Sequence, residues 1–204
     1  MGRAAIIDLR DGVADELHRS QETVLPRARV AEDAVVRIRL ATPEDAEALE
    51  RIRIRGWRVA YRHVFPPEQL DAMPIDWSRW LEWLTQPPPA RCFVAEDEAG
   101  LLGFATVGPS AFPDRFGELH GLYVDPDRWS EGAGRALLAR AEDELARTWD
   151  DAILWTLEDN PRTRRFYEAA GWRVDGTTGS FERLGVSAAI VRYAKRLSKS
   201  ASRS

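Results

Sequence analysis

From Glu118 to Leu138 the chain sets an apolar strand, a glycine-rich turn and a helix start in immediate succession. The strand holds Leu122-Tyr123-Val124, the turn ends in Gly132-Ala133-Gly134, and Arg135-Ala136-Leu137-Leu138 opens the helix. Such a turn aims several backbone N–H groups at one point. The helix start adds unpaired donors and a partial positive charge, so the turn is an anion site suited to phosphate. A Walker A loop needs a Gly-Lys-Ser/Thr ending, and this turn has no lysine. A dinucleotide fingerprint needs a third small residue where Leu137 stands, and it normally opens a domain rather than following most of it. By itself the glycine spacing leaves the phosphate-bearing ligand open.

The elements that position this turn are legible from caps, breakers and periodicity. Val35, Val36, Ile38 and Leu40 read as a first strand. Thr42-Pro43-Glu44-Asp45 has a hydroxyl cap, a proline in the first turn and acids behind it, which predicts a helix running to about Tyr61. Pro66-Pro67 ends it and opens a short helix over Glu68–Ala72. Trp77, Trp80, Leu81 and Leu84 predict another before Pro87-Pro88-Pro89. Arg91–Glu96 and Leu101–Val107 flank Glu98-Ala99-Gly100 as a hairpin, and Gly117–Val124 is the next strand. A helix over Gly134–Thr148, a strand over Ala152–Leu157, a helix over Pro161–Ala170, a strand from Trp172 and a last strand over Ser187–Lys195 complete a mixed α/β order.

In the central strand the alternation of Leu119 slips out of phase with Leu122 and Val124. Either a bulge at Gly121 bends the strand, or the strand is buried on both faces and the phase is uninformative.

The chain has 204 residues with 44% hydrophobic and 30% charged side chains, which suits one soluble domain. Its net charge of -4 argues against a nucleic-acid partner held by phosphate contacts. No apolar run is long enough to cross a bilayer, and no signal segment opens the chain, so a cytoplasmic location is expected. One cysteine, Cys92, and three scattered histidines predict neither a disulfide nor a metal site. Residues 1–33 read as an extension, 34–197 as the domain and 198–204 as a polar tail.

The stretch LYVDPDRWSEGAGRALL resembles motif A of the GNAT N-acetyltransferase superfamily. LEDNPRTRRFYEAAGWR, residues 157–173, resembles its motif B, with Asn160, Phe166-Tyr167 and Gly171-Trp172 in order. One departure is visible: Trp129 and Ser130 stand where Gln/Arg and Gly are usual. The resemblance covers roughly residues 35–197. It implies a GNAT fold, an α/β (α+β) plan whose central, mixed but mostly antiparallel sheet has six to seven strands flanked by helices.

It also implies acetyl-CoA as co-substrate and an N-acetyltransferase acting on a primary amine. The diphosphate would rest on the amides of Gly132, Ala133, Gly134, Arg135 and Ala136. The pantetheine arm would lie along Leu122, Tyr123 and Val124, with Asn160 bonding to it. Glu118 would be the general base, with His120 as rival, and Tyr167 the acid beside the departing sulfur. Trp57 and Tyr61, together with His120, are the candidate acceptor contacts. The acceptor is a small-molecule or protein amine, and self-association as a homodimer stays open. The alternatives are an acyl-CoA sensor without turnover and, less favoured, a dinucleotide enzyme.

Overall fold

In the computed structural model the described residues are 36–86, 90–111 and 115–198. The predicted extension, 1–33, lies outside them, as do residues 199–204 of the tail. The elements run β1 (Arg37–Leu40), α1 (Ala46–Ala60), α2 (Pro67–Asp71), α3 (Ser78–Leu84), β2 (Arg91–Asp97), β3 (Gly100–Pro109), β4 (Phe116–Val124), α4 (Ala133–Leu145), β5 (Asp151–Leu157), α5 (Pro161–Ala169), β6 (Arg173–Arg183) and β7 (Val186–Arg196).

The helix start at Thr42 forms as its sequence requires. The Thr42 N–H donates to Asp45 Oδ2 at 2.8 Å, and a 3-10 turn over Pro43–Asp45 leads into α1. Arg39 clamps the same carboxylate through both terminal nitrogens, at 2.7 and 2.8 Å. On the other face of α1, buried Glu50 accepts from Trp80 Nε1 at 2.9 Å and from Arg53, which ties α3 to α1. A buried carboxylate is tolerated only when its oxygens are satisfied in this way.

The seven strands form one sheet in the order β1-β2-β3-β4-β5-β7-β6. Every neighbouring pair is antiparallel except β4 and β5. Helices cover both faces. Leu137, Leu138 and Ala141 of α4 and Phe166 and Tyr167 of α5 pack with Leu119, Leu122 and Val124 on one face. Leu49, Trp57 and Trp80 pack with Phe104, Tyr123 and Trp155 on the other. Burying side chains of this size contributes roughly 1.5–3 kcal/mol each before entropy is counted.

The phase slip in β4 has both of its proposed causes. The strand is buried on both faces, and its ladder with β3 jumps from Thr106↔Gly121 to Val107↔Leu119. The extra residue is therefore His120, one position before the glycine expected to carry the bulge. The bulge returns Leu119, Leu122 and Val124 to the same core. Gly103 of β3 lets the two strands approach: a Cβ there would lie 2.3 Å from the Tyr123 carbonyl oxygen.

Candidate active site

β4 and β5 pair over only four positions, from Phe116↔Asp151 to Leu119↔Leu154. Beyond Leu119, β4 keeps its ladder with β3 alone and β5 with β7 alone. The two parallel strands therefore splay, and the edge of β4 from His120 to Val124 faces a wedge instead of a strand. Each strand is followed by a helix, so the starts of α4 and α5 stand at the open end of that wedge.

The glycine turn forms the rim on the β4 side. Ser130 and Gly132 both have left-handed backbone, with φ of 72° and 84°. A glycine takes that conformation without strain, whereas a side chain does not. Ala133, Gly134 and Arg135 precede the first intrahelical bond, so their N–H groups lie outside the helix ladder. Ala136 is different: its N–H donates to the Gly132 carbonyl at 3.1 Å. Of the five amides expected to hold a diphosphate, that of Ala136 is therefore engaged in the helix.

Two arginine clamps hold the turn in place. Arg128 reaches Asp97 at the end of β2 at 2.5 Å and chelates Glu131 at 2.8 and 2.9 Å. Its hydrogen bond holds the Asp97 carboxyl below the usual carboxylate range. From α1, Arg55 spans Asp125 and Asp127, each at 2.5 Å. Val124 also has a partner that the sequence reading did not assign: its carbonyl accepts from Trp129 Nε1 at 2.9 Å. That carbonyl is engaged within the chain; the Tyr123 carbonyl faces Gly103 of β3, so by alternation it is Leu122 and Val124 whose backbone groups turn toward the open edge.

On the β5 side, Asn160 caps α5, its Oδ1 accepting from the Thr163 N–H at 3.2 Å. Its Nδ2 is buried without a hydrogen-bond partner, as is the Thr156 hydroxyl on β5. A buried polar group left unpaired costs about 1–3 kcal/mol. An amide-bearing arm laid in the wedge suits the Asn160 donor, so the residues present fit a pantetheine chain.

The proton-moving candidates sit at different depths. Glu118 is buried and lies in the closed part of the sheet, opposite Gly108 and Ile153. Alternation turns it away from Leu119, toward the face covered by α1–α3. The β3 partners of Glu118 and Leu122, Gly108 and Ala105, are three positions apart because of the bulge, so at about 3.3 Å per residue Glu118 stands roughly 10 Å below Leu122 along the strand. His120 occupies the bulge, with Nε2 3.2 Å from the Pro109 carbonyl. A carbonyl only accepts, so Nε2 carries the proton in that contact and Nδ1 is the basic nitrogen. Tyr167 is buried against Phe166, Trp172 and Tyr193, with ring centroids 5.3, 6.2 and 6.3 Å away. Burial pushes its hydroxyl pKa well above the ordinary value.

Trp57 and Tyr61, read as acceptor contacts, are corrected: both are only 1% exposed. Trp57 stacks on Phe65 at 5.6 Å, meets Tyr61 edge-on at 5.0 Å and donates to the Tyr123 hydroxyl at 3.3 Å. They are core residues beneath β4, with no face left for an acceptor. Burial likewise pushes the Cys92 thiol up, which keeps it inert.

The glycine turn of the first sequence motif stands at the mouth of a wedge between two parallel strands, and the second motif runs from the end of β5 into α5 on the other side. The GNAT acetyltransferase family model matches residues 49–172, which include the first motif, the second as far as Trp172 and the strand between them. This chain belongs to the GNAT acetyltransferase family. A Bacillus subtilis protein named as an N-acetyltransferase is 32% identical over 66% of the chain and 79% of its own length. One from Mycobacterium tuberculosis is 31% identical over 81% of the chain and 95% of its own length. An acetyltransferase of Salmonella typhimurium, solved with its cofactor acetyl-CoA, shares the fold at a TM-score of 0.64 and 20% identity, covering 80% or more of both chains (84% and 99%). The GNAT assignment makes the protein an acetyltransferase and removes the dinucleotide alternative, whose fold needs a mostly parallel sheet. No helix among the described residues is long and apolar enough to cross a membrane.

Proposed function

We propose that this GNAT acetyltransferase moves the acetyl group of acetyl-CoA directly onto a primary amine. The observation that carries the reading is the wedge: β4 loses β5 after Leu119 and ends in the amide-lined turn of Gly132–Arg135. The turn takes the diphosphate, and the open edge at Leu122 and the Val124 N–H pairs with the pantetheine amides. The Asn160 Nδ2 donates to the same arm. The Leu122 N–H points at the thioester carbonyl and stabilises the oxyanion that forms there.

The amine nitrogen attacks the carbonyl carbon, the C–N bond forms and the C–S bond breaks. An alkylammonium with pKa ~10.4 must first lose a proton, which costs about 4–5 kcal/mol at pH 7. Glu118 receives that proton. Its depth of roughly 10 Å below Leu122 exceeds direct reach, so water carries the proton to it. His120 is the second reading, favoured by its place in the bulge next to the open edge. Tyr167 stays protonated and donates to the leaving sulfur. With a thiol pKa near 8.5 against at least ~10 for the phenol, complete transfer is uphill by about 2 kcal/mol or more, so the hydrogen bond rather than full proton transfer does the stabilising.

The test is thermal stabilisation by acetyl-CoA, CoA, NAD and ATP, followed by release of free CoA on a panel of small amines and peptide N-termini. Stabilisation by CoA and acetyl-CoA with amine-dependent CoA release is expected. Stabilisation by NAD and not by CoA sinks the reading. CoA binding without release on any amine leaves only the sensor.

A further inference from the structure

One buried hydroxyl has no partner in the folded chain and no part in the steps above. Thr156 is 1% exposed, and its Oγ1 makes no hydrogen bond among the described residues. It carries the only hydroxyl of β5, between Trp155 and Leu157. A donor left dry in this way is destabilising. A valine of the same shape carries no such cost and suits a strand equally well.

Register shows what the hydroxyl faces. β4 and β5 last pair at Leu119↔Leu154, and Thr156 stands two positions beyond Leu154. On β4 the bulge takes up one residue. Leu119 and Leu122 are three apart in sequence, but their β3 partners, Val107 and Ala105, are two apart. Thr156 and Leu122 are therefore level with each other on opposite walls of the wedge. They also share a face. Leu122 and Leu154 both pack with α4 and α5, and Thr156 alternates in phase with Leu154. Tyr167 of α5 comes down on the same face. Its ring centre is 6.3 Å from that of Tyr193, the β7 partner of Leu154. It thus sits about one same-face step, roughly 7 Å, along β5 from Thr156.

We infer that Thr156 is a second hydrogen-bond donor to the departing sulfur. The inference rests on the acetyl-CoA reading above. In that reading the Leu122 N–H holds the carbonyl oxygen from the β4 wall. Tyr167, on the helix that follows β5, donates to the sulfur. The sulfur is thus on the β5 side, where Thr156 stands. As the amine forms its C–N bond, the C–S bond breaks and the electron pair goes to sulfur. A thioester sulfur is a weak acceptor and a thiolate a strong one, so the Thr156 O–H is fully used only as charge develops. Thr156 keeps its own proton, and the proton of the amine leaves by the base.

Ultraviolet titration of bound CoA tests this without an acceptor, because a thiolate absorbs light that a thiol does not. Wild type, Thr156→Val and Thr156→Ser are compared as full chains. The bound thiol is expected to ionise about tenfold less readily in Thr156→Val than in wild type, and Thr156→Ser should follow wild type. With an amine that releases CoA, Thr156→Val should lower kcat about tenfold and leave the acetyl-CoA Kd unchanged. The free Thr156→Val protein should melt at or above the wild-type temperature, because the change removes an unpaired hydroxyl and keeps the shape. A lower melting temperature shows that the hydroxyl has a structural partner and overturns the inference. Equal ionisation of bound CoA in wild type and Thr156→Val overturns it too, as does a weaker acetyl-CoA Kd with ionisation unchanged. A wild type that binds neither CoA nor acetyl-CoA overturns instead the reading on which the inference rests.

Discussion

At the scale of single residues the chemistry divides by burial. Burial keeps the Tyr167 hydroxyl protonated, so the donor proposed for the leaving sulfur is available across the whole working pH range. Tyr167→Phe is expected to slow kcat about tenfold or more while the CoA Kd stays unchanged; equal turnover by the variant would remove the hydroxyl from the reaction. Glu118 and His120 separate by their distance from the open edge. Glu118→Gln should lower kcat/KM at neutral pH and recover part of the loss at high pH, where more of the amine is already neutral. His120→Gln should leave that profile in place. If instead the histidine variant loses the neutral-pH activity, proton acceptance belongs to Nδ1 of His120. Glu118 and Tyr167 were legible as candidates through the resemblance of the stretches around them to the GNAT motifs, and His120 as the rival base two residues on. The burial of Trp57 and Tyr61 was not, because an aromatic stripe on a helix has the same periodicity whether it faces core or ligand.

At the scale of elements, β4 carries the site, and β3 sets where β4 can sit. Gly103 faces the Tyr123 carbonyl so closely that any side chain must push the strands apart. Gly103→Ala is expected to cost about 1–3 kcal/mol, read as a lower melting temperature, and to weaken CoA binding because Tyr123 and Val124 move with the strand. An unchanged melting temperature would show that the edge is not held there. The bulge at His120 belongs to the same scale. A period-2 pattern signals that the phase slips, but the residue left over is chosen by the register with β3, which local pattern does not contain. α4 ends at Leu145 rather than near Thr148, with Thr148 and Trp149 N–H groups bonding back to the Leu145 carbonyl in a closing turn.

At the scale of the whole molecule, ion pairs tie strands to one another and to the turns and helix starts beside them. Asp45, Asp97 and Asp175 all have carboxyls held below their usual range. For Asp45 burial alone would raise the value, but Arg39 and the Thr42 N–H outweigh it. Depressed folded-state values stabilise the fold fully above the unfolded carboxylate pKa near ~3.9, and that stability is lost as pH falls through the lower folded values. Chemical denaturation midpoints are therefore expected to be flat from neutral pH down to about 5 and to fall below about 4. A fall that begins near pH 6 would point to histidine instead. These side chains are part-buried or exposed and screened, so the effect belongs to the set rather than to any one pair.

The sequence by itself determined the order of elements, the amide-lined turn and, through two spaced motifs, the family. Those depend on local caps, glycines and periodicity, and they survive without knowledge of neighbours. Tertiary structure decided which strands part and which stay paired, where the extra residue of β4 falls, and that Trp129 and Arg162 meet across 33 positions of chain. Each of those is a relation between segments distant in sequence, and only packing of the two rims around one sheet brings them within contact distance.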